Sequence, residues 1–138
     1  MNHYKFSELS VGMEEQFEVT VTEKMHNAFT GITGDINPMH MDEEYSKNNG
    51  YDGKLVYGML TASFYSTLVG VYLPGENCIF HEVKTTFNSP VYIGDRLTVS
   101  GKITDLHEGF QRATIKAVIR NDKGTIVSRA TLTTGVRQ

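Results

Sequence analysis

Asp35 and His40 are the residues most suited to acid/base chemistry, because both fall in one constrained stretch, Phe29-Thr30-Gly31-Ile32-Thr33-Gly34-Asp35-Ile36-Asn37-Pro38-Met39-His40. Neighbours on a helix face are three or four residues apart, so their spacing of five brings the two side chains together only if the helix breaks. Pro38 supplies the break by fixing its own φ and removing an N–H, and it pushes Asn37 toward extended backbone. Asn37 can also hydrogen-bond nearby backbone groups, which makes it a candidate orienting residue. A carboxylate and an imidazole in such a stiff loop can share one water, the carboxylate taking its proton and the imidazole orienting it or donating one. The same residues also read as turn punctuation, Gly34-Asp35 and Asn37-Pro38, beside a histidine. The local pattern leaves both readings open.

The elements that must position this loop follow from periodicity. Residues 6–16 read as a lead-in, after which Phe17, Val19 and Val21 alternate with Glu18, Thr20 and Thr22 as in a half-buried strand. Met25, Ala28, Phe29 and Ile32 then recur at helical spacing, with Thr22 as N-cap and Gly34 as the stop, and His26 is expected on the helix surface. Asp42 can cap a short helix over 43–47 whose acidic first turn suits the dipole. The stretch 58–73 contains no charged residue and is expected to be one helix, apolar nearly all round and buried. Pro74-Gly75 ends it. Four segments follow, Cys78–Phe87, 95–106, 110–121 and 125–136, rich in Val, Ile, Thr, Tyr and Phe and separated by turn residues. With the strand near Phe17 they predict an α+β domain spanning residues 1–138, a five-stranded antiparallel sheet wrapped around one long buried helix. Separate α and β layers with helices on one face give the same periodicity.

Further candidates lie on that central helix. Gly58 opens it, where unpaired N–H groups and the dipole favour developing negative charge and the absent side chain lets a substrate approach; glycine is also an ordinary helix start. Ser66, two turns on, reads by itself as a buried serine bonded to a carbonyl one turn back. Val69 is expected on the same face as Ser66 and is a candidate pocket floor, with Phe64, Tyr65 and Tyr72 limiting the room. His81 and Glu82 alternate within a strand and point to opposite faces, so they cannot act as a pair. Cys78 has no basic neighbour to lower its pKa and is not expected to be a nucleophile. His3 and His107 are expected to be exposed. Pro90-Val91-Tyr92-Ile93-Gly94-Asp95 reads as a loop entering a strand.

Composition bounds the remaining possibilities. The 138 residues suffice for one domain with a core, and the single cysteine excludes an intrachain disulfide. The start lacks the apolar run of a signal peptide, so a cytoplasmic location is the default. No apolar run approaches the ~20 residues that span a bilayer. A net charge of −3 with singly scattered basic residues gives no general attraction to nucleic acid. No zinc-type Cys or His spacing and no GxGxxG occurs, so neither a metal nor a phosphate-cradled cofactor is expected.

The run Gly34-Asp35-Ile36-Asn37-Pro38-Met39-His40, followed by Ser46 after a short acidic helix, resembles the motif of the MaoC-like (R)-specific enoyl-CoA hydratases, which have a hotdog fold. The resemblance extends over about residues 6–136. It implies that Asp35 and His40 are the catalytic pair, that Ser66 orients the Asp35 carboxylate, and that the Gly58 N–H holds the thioester oxygen. In related hydratases the helix-start glycine is usually preceded by histidine. Here Tyr57 stands there, at the expected pocket mouth. The implied reaction is reversible hydration of trans-2-enoyl-CoA to (R)-3-hydroxyacyl-CoA, with no metal or redox cofactor and with coenzyme A or an acyl carrier protein carrying the acyl group. Lys54, Lys84 and Arg96 are candidates for the carrier phosphates. A (3R)-hydroxyacyl carrier-protein dehydratase, a thioesterase on the same fold and a noncatalytic acyl-thioester-binding domain are the competing readings; a thioesterase would use a carboxylate or nucleophile on the central helix, and the helix here has no Asp or Glu. The implied assembly is a homodimer, because hotdog domains typically pair edge to edge.

Overall fold

The computed structural model describes Met1–Gln138. Five strands form one antiparallel sheet: β1 (Glu14–Thr20), β2 (Cys78–Phe87), β3 (Arg96–His107), β4 (Arg112–Asn121) and β5 (Ile126–Val136), in the order β1-β3-β4-β5-β2. The helices are α1 (Glu23–Thr33), α2 (Pro38–Met41), α3 (Glu43–Asn48) and α4 (Gly58–Thr67), the last continuing as a π-helical turn over Leu68–Tyr72. One helix across one sheet is the hotdog arrangement, with α1 to α3 and the Asp35 loop inserted between β1 and α4.

The concave face of the sheet follows from alternation. Leu97, Val99 and Ile103 of β3, Ala113, Ile115, Ala117 and Ile119 of β4, and Ala130, Leu132 and Val136 of β5 are buried, while their sequence neighbours mostly turn outward. Leu60, Tyr65 and Leu68 are among the α4 and π-turn residues that join them in a single core. Each fully buried Leu or Ile contributes about 1.5–3 kcal/mol by leaving water. The helix crosses the sheet so closely at Gly101 that a Cβ there would lie 2.8 Å from Leu68 Cδ2 and 2.9 Å from Ile115 Cγ2. Only glycine fits that crossing without displacing core side chains.

The central helix differs from its sequence reading in two ways. It changes pitch after Thr67, with Leu73 N–H bonded to Leu68 C=O at 2.9 Å, five residues back. This wider turn returns a residue five positions on to the same face. Leu68 and Leu73 can thereby be buried together with Val69. Nor is the helix buried all round: Met59 is 62% exposed, and Ser63 and Ser66 are also on the open side. The second edge of the sheet is open as well, because β2 exposes Ile79, Val83 and Phe87 along one side.

Candidate functional site

The loop is built by a succession of small caps. Thr22 Oγ1 accepts from Met25 N–H at 3.2 Å to start α1, and Gly34 ends it in the left-handed region at φ 68°. Asp35 Oδ1 accepts from Asn37 N–H at 3.1 Å, and Asn37 Oδ1 accepts from Met39 N–H at 2.9 Å. Asn37 thus orients the loop by capping α2, whose first residue is Pro38, the position where a missing N–H costs nothing. His40 lies on that one turn of helix, and its own N–H donates to Asn37 C=O at 2.9 Å.

The His40 imidazole is fixed through its other side. Nδ1 lies 2.7 Å from Leu55 C=O, an acceptor only, so Nδ1 carries the proton and donates it. Nε2 is then the atom left for proton transfer. Leu55 is itself pinned, donating its N–H to Met39 C=O at 3.0 Å, and Val56 N–H donates to Val91 C=O at 2.8 Å.

His40 lines a cavity of about 400 Å³ together with Tyr51, Gly58, Thr61, Phe87 and Ser89. Gly58 places the start of α4 at this cavity, where the first N–H groups of a helix lack intrahelical partners and can receive an anionic oxygen. A Cβ on Gly58 would sit 3.1 Å from the Phe87 ring, so any larger residue there would have to push that ring aside by a few tenths of an ångström. Thr61 is buried at the same wall, and its Oγ1 has no hydrogen-bond partner.

Asp35 is exposed and does not line this cavity, and within one protomer no hydrogen bond joins its carboxylate to His40. The two residues are connected through Tyr57. Its hydroxyl donates to the Asp35 backbone carbonyl at 2.6 Å, and its ring stacks on the His40 imidazole with centroids 4.1 Å apart. Tyr57 is only 2% exposed, so it stands behind His40 and not at the pocket mouth, where Tyr51 lies instead. The reason is the turn into α4, whose backbone at Tyr57 (φ −57°, ψ 127°) sends the ring inward.

Other expected placements are corrected. Ser66 is exposed on the open side of α4 and makes no hydrogen bond to Asp35 within the protomer. Val69 is 1% exposed in the core and does not line the cavity, because the pitch change turns it away from Ser66. Tyr65 is likewise core, with its hydroxyl donating to Ser128 Oγ at 2.8 Å, and burial raises its pKa. Tyr72 stacks on Phe17 at 4.9 Å. His26 is not a surface residue: it is 1% exposed, its Nε2–H donates to His40 C=O at 2.9 Å, and its Nδ1 has no partner. Its place one residue after Met25 gives no periodic signal of burial, since α1 packs along a wider face than the Met25, Phe29 stripe. Lys54, Lys84 and Arg96 each face a carboxylate, Glu23, Glu82 and Glu18 respectively, and none lines the cavity. Burial pushes the Cys78 thiol up to about 11, which keeps it a thiol at neutral pH. No cluster of three or more His, Cys, Asp or Glu side chains is gathered where it could hold a metal ion. No helix is long and apolar enough to cross a membrane.

Leu55, Phe87 and Ser89 are not legible as site residues in the sequence. Leu55 acts through its carbonyl, which no side-chain pattern reveals, and Phe87-Asn88-Ser89-Pro90 reads as the end of a strand and its turn. Pro90 and Val91, structural by their sequence pattern, also line the cavity.

The sequence and the fold both have counterparts among known proteins. The family described as MaoC like domain matches residues 7–124. An (R)-specific enoyl-CoA hydratase of Rhodospirillum rubrum is 33% identical over 104 residues, 75% of this chain and 72% of that protein. One from Aeromonas caviae is 33% identical over 99 residues, 72% of this chain and 74% of that protein. A solved structure described as the (R)-hydratase from A. caviae involved in PHA biosynthesis superimposes with a TM-score of 0.89 at 28% identity, covering 94% of this chain and 98% of that one.

Proposed function

Because the chain belongs to the MaoC-like domain family, we propose that it is a hydro-lyase that reversibly adds water to trans-2-enoyl-CoA, giving (R)-3-hydroxyacyl-CoA. The observation that carries this is the tautomer lock on His40. With Nδ1–H held by Leu55 C=O, Nε2 is left for proton transfer beside a cavity headed by the amides of α4. In the proposed step water oxygen bonds to C3 as its proton passes to the Asp35 carboxylate. The C2=C3 electron pair moves onto the thioester oxygen, held by Gly58 N–H, and returns as C2 takes a proton from the Asp35/His40 pair. Net addition is one H and one OH, with no change of redox balance, so the step as written needs no redox cofactor and is carried by side chains and backbone alone.

The enzyme acts as a homodimer in this reading. A bare β2 edge with Ile79, Val83 and Phe87 exposed, and an open α4 face with Met59 exposed, are surfaces a second copy can cover. Ser66 and Asp35 are both open to solvent and share no hydrogen bond within the chain, so in this reading Ser66 orients an Asp35 carboxylate across that interface. The reading also takes the protein to work in the cytoplasm on a diffusible acyl thioester.

The test follows crotonyl-CoA by loss of its enoyl absorbance, with a thiol reagent in a parallel cuvette and a crotonyl carrier protein in a third. Absorbance loss without free thiol is expected with the coenzyme A substrate. Thiol release would instead mean a thioesterase, turnover only of the carrier protein a carrier-specific dehydratase, and no turnover of either a binding domain. Full activity in a monomer by light scattering would remove the dimer.

A further inference from the structure

We propose that Tyr57 is a positioning residue that sets Asp35 and His40 in register with each other, a reading that rests on the hydration activity proposed above. Its ring and its hydroxyl do separate work. The imidazole of His40 is tethered at Nδ1, which leaves it free to tip about that bond. The Tyr57 ring, stacked at 4.1 Å and 30°, blocks the tipping on one face. Behind Tyr57 stand His26 at 4.8 Å and Phe29 at 5.1 Å between ring centroids, so the blocking ring has no room to retreat.

The hydroxyl reaches the other member of the pair. Tyr57 Oη lies 2.6 Å from Asp35 C=O and 2.8 Å from Thr30 Oγ1. A carbonyl cannot donate, so the Tyr57 proton goes to Asp35, and Thr30 Oγ1 closes off the other side of Oη. Tyr57 holds the Asp35 backbone, while the carboxylate itself accepts only from Asn37 N–H, in a turn open to solvent. A peptide anchored at its carbonyl fixes where that turn begins. His26 adds a matching anchor on the other side, through Nε2–H to His40 C=O. A histidine in place of Tyr57 is too short to stack on His40 and reach Asp35 C=O with the same backbone.

The variants Tyr57→Phe and Tyr57→Leu, assayed on crotonyl-CoA beside the unaltered protein, test this. Tyr57→Phe keeps the stack and loses the anchor on Asp35. Its kcat is expected to fall roughly three- to tenfold with KM within about twofold, the size of one lost hydrogen bond. Tyr57→Leu loses the stack as well; kcat should fall further, and the His40 ring-proton resonances should move as the aromatic face above them is removed. A folded Tyr57→Phe protein with unchanged kcat, or with the loss confined to KM, overturns the positioning role even if Tyr57→Leu fails to fold. If the unaltered protein does not hydrate crotonyl-CoA, the proposed function fails instead, and the two failures are told apart by that control.

Discussion

His40→Asn separates the folding role of His40 from its chemical role. Asparagine places its amide nitrogen near where Nδ1 stands, so the donor to Leu55 C=O, now at 2.7 Å, can be kept while Nε2 is deleted. What is lost structurally is the ring face against Tyr57, worth about 0.5–1.5 kcal/mol beyond area for an aromatic pair. His40→Ala loses the donor too and leaves the half-buried Leu55 carbonyl unpaired, a further cost of about 1–3 kcal/mol. His40→Asn should therefore melt above His40→Ala, yet both should lose roughly 10²- to 10⁴-fold in kcat, the range expected of a general acid/base. Asp35→Asn should lose a similar factor. The proposed step puts both groups on one water, and under it the double variant His40→Asn, Asp35→Asn should be little slower than the slower single one. A steady-state hydration assay on crotonyl-CoA, with melting curves on the same samples, makes the comparison. Near-normal turnover in His40→Asn, or rate losses that multiply in the double variant, would refute the reasoning.

If Ser66 orients Asp35 as proposed, Ser66→Ala removes one charge-assisted hydrogen bond of about 1.5–3 kcal/mol and should reduce kcat/KM by roughly 10- to 100-fold; unchanged kinetics would remove its orienting role. Gly101→Ala should destabilise by about 1–3 kcal/mol in chemical denaturation, because its Cβ would meet Leu68 at 2.8 Å and Ile115 at 2.9 Å, and a neutral substitution would show that the helix can lift off the sheet. Cys78, with its thiol pushed to about 11 from 9.0, should alkylate with iodoacetamide about a hundredfold more slowly than a free thiol at pH ~8. The folded pKa lies above the unfolded one, so this group's contribution to stability is intact below pH 9.0 and is lost as pH rises toward 11; denaturation midpoints that rise across that window in the native protein but not in Cys78→Ala would contradict the assignment.

Strand positions are readable because alternation and turn residues are local properties. Cys78–Phe87 coincides with β2, and the Thr22, Gly34 and Asp42 caps stand where their side chains and φ preferences put them. Asp35 and His40 are readable as candidates because punctuation residues stand around them, although the break is made by Gly34, which ends α1, and Pro38 instead opens α2. The directions of side chains at irregular backbone are not. Tyr57 precedes a helix whose entry angle comes from Val56 pairing with Val91, a contact between distant parts of the sequence, and nothing local says that its ring turns inward. Val69 lies just past the change to π pitch, so counting by helical turns assigns it to the wrong face. Ser66 and Met59 lie on the open side of α4, and an apolar composition cannot distinguish a helix buried all round from one buried only on the side facing its sheet.

Leu55 to Gly58 form one short length of backbone with four separate duties. Leu55 offers the carbonyl that fixes the imidazole, Val56 ties the segment to Val91, Tyr57 touches both members of the pair, and Gly58 presents its amide to the cavity. The His40 ring and the Gly58 amide are thus linked by one hydrogen bond, His40 Nδ1–H to Leu55 C=O, and by three peptide links whose torsions are held by the bonds that Val56 and Tyr57 make. When the sheet flexes or α4 slides in its groove, the carbonyl that tethers His40, the ring that stacks on it and the Gly58 amide move as one segment.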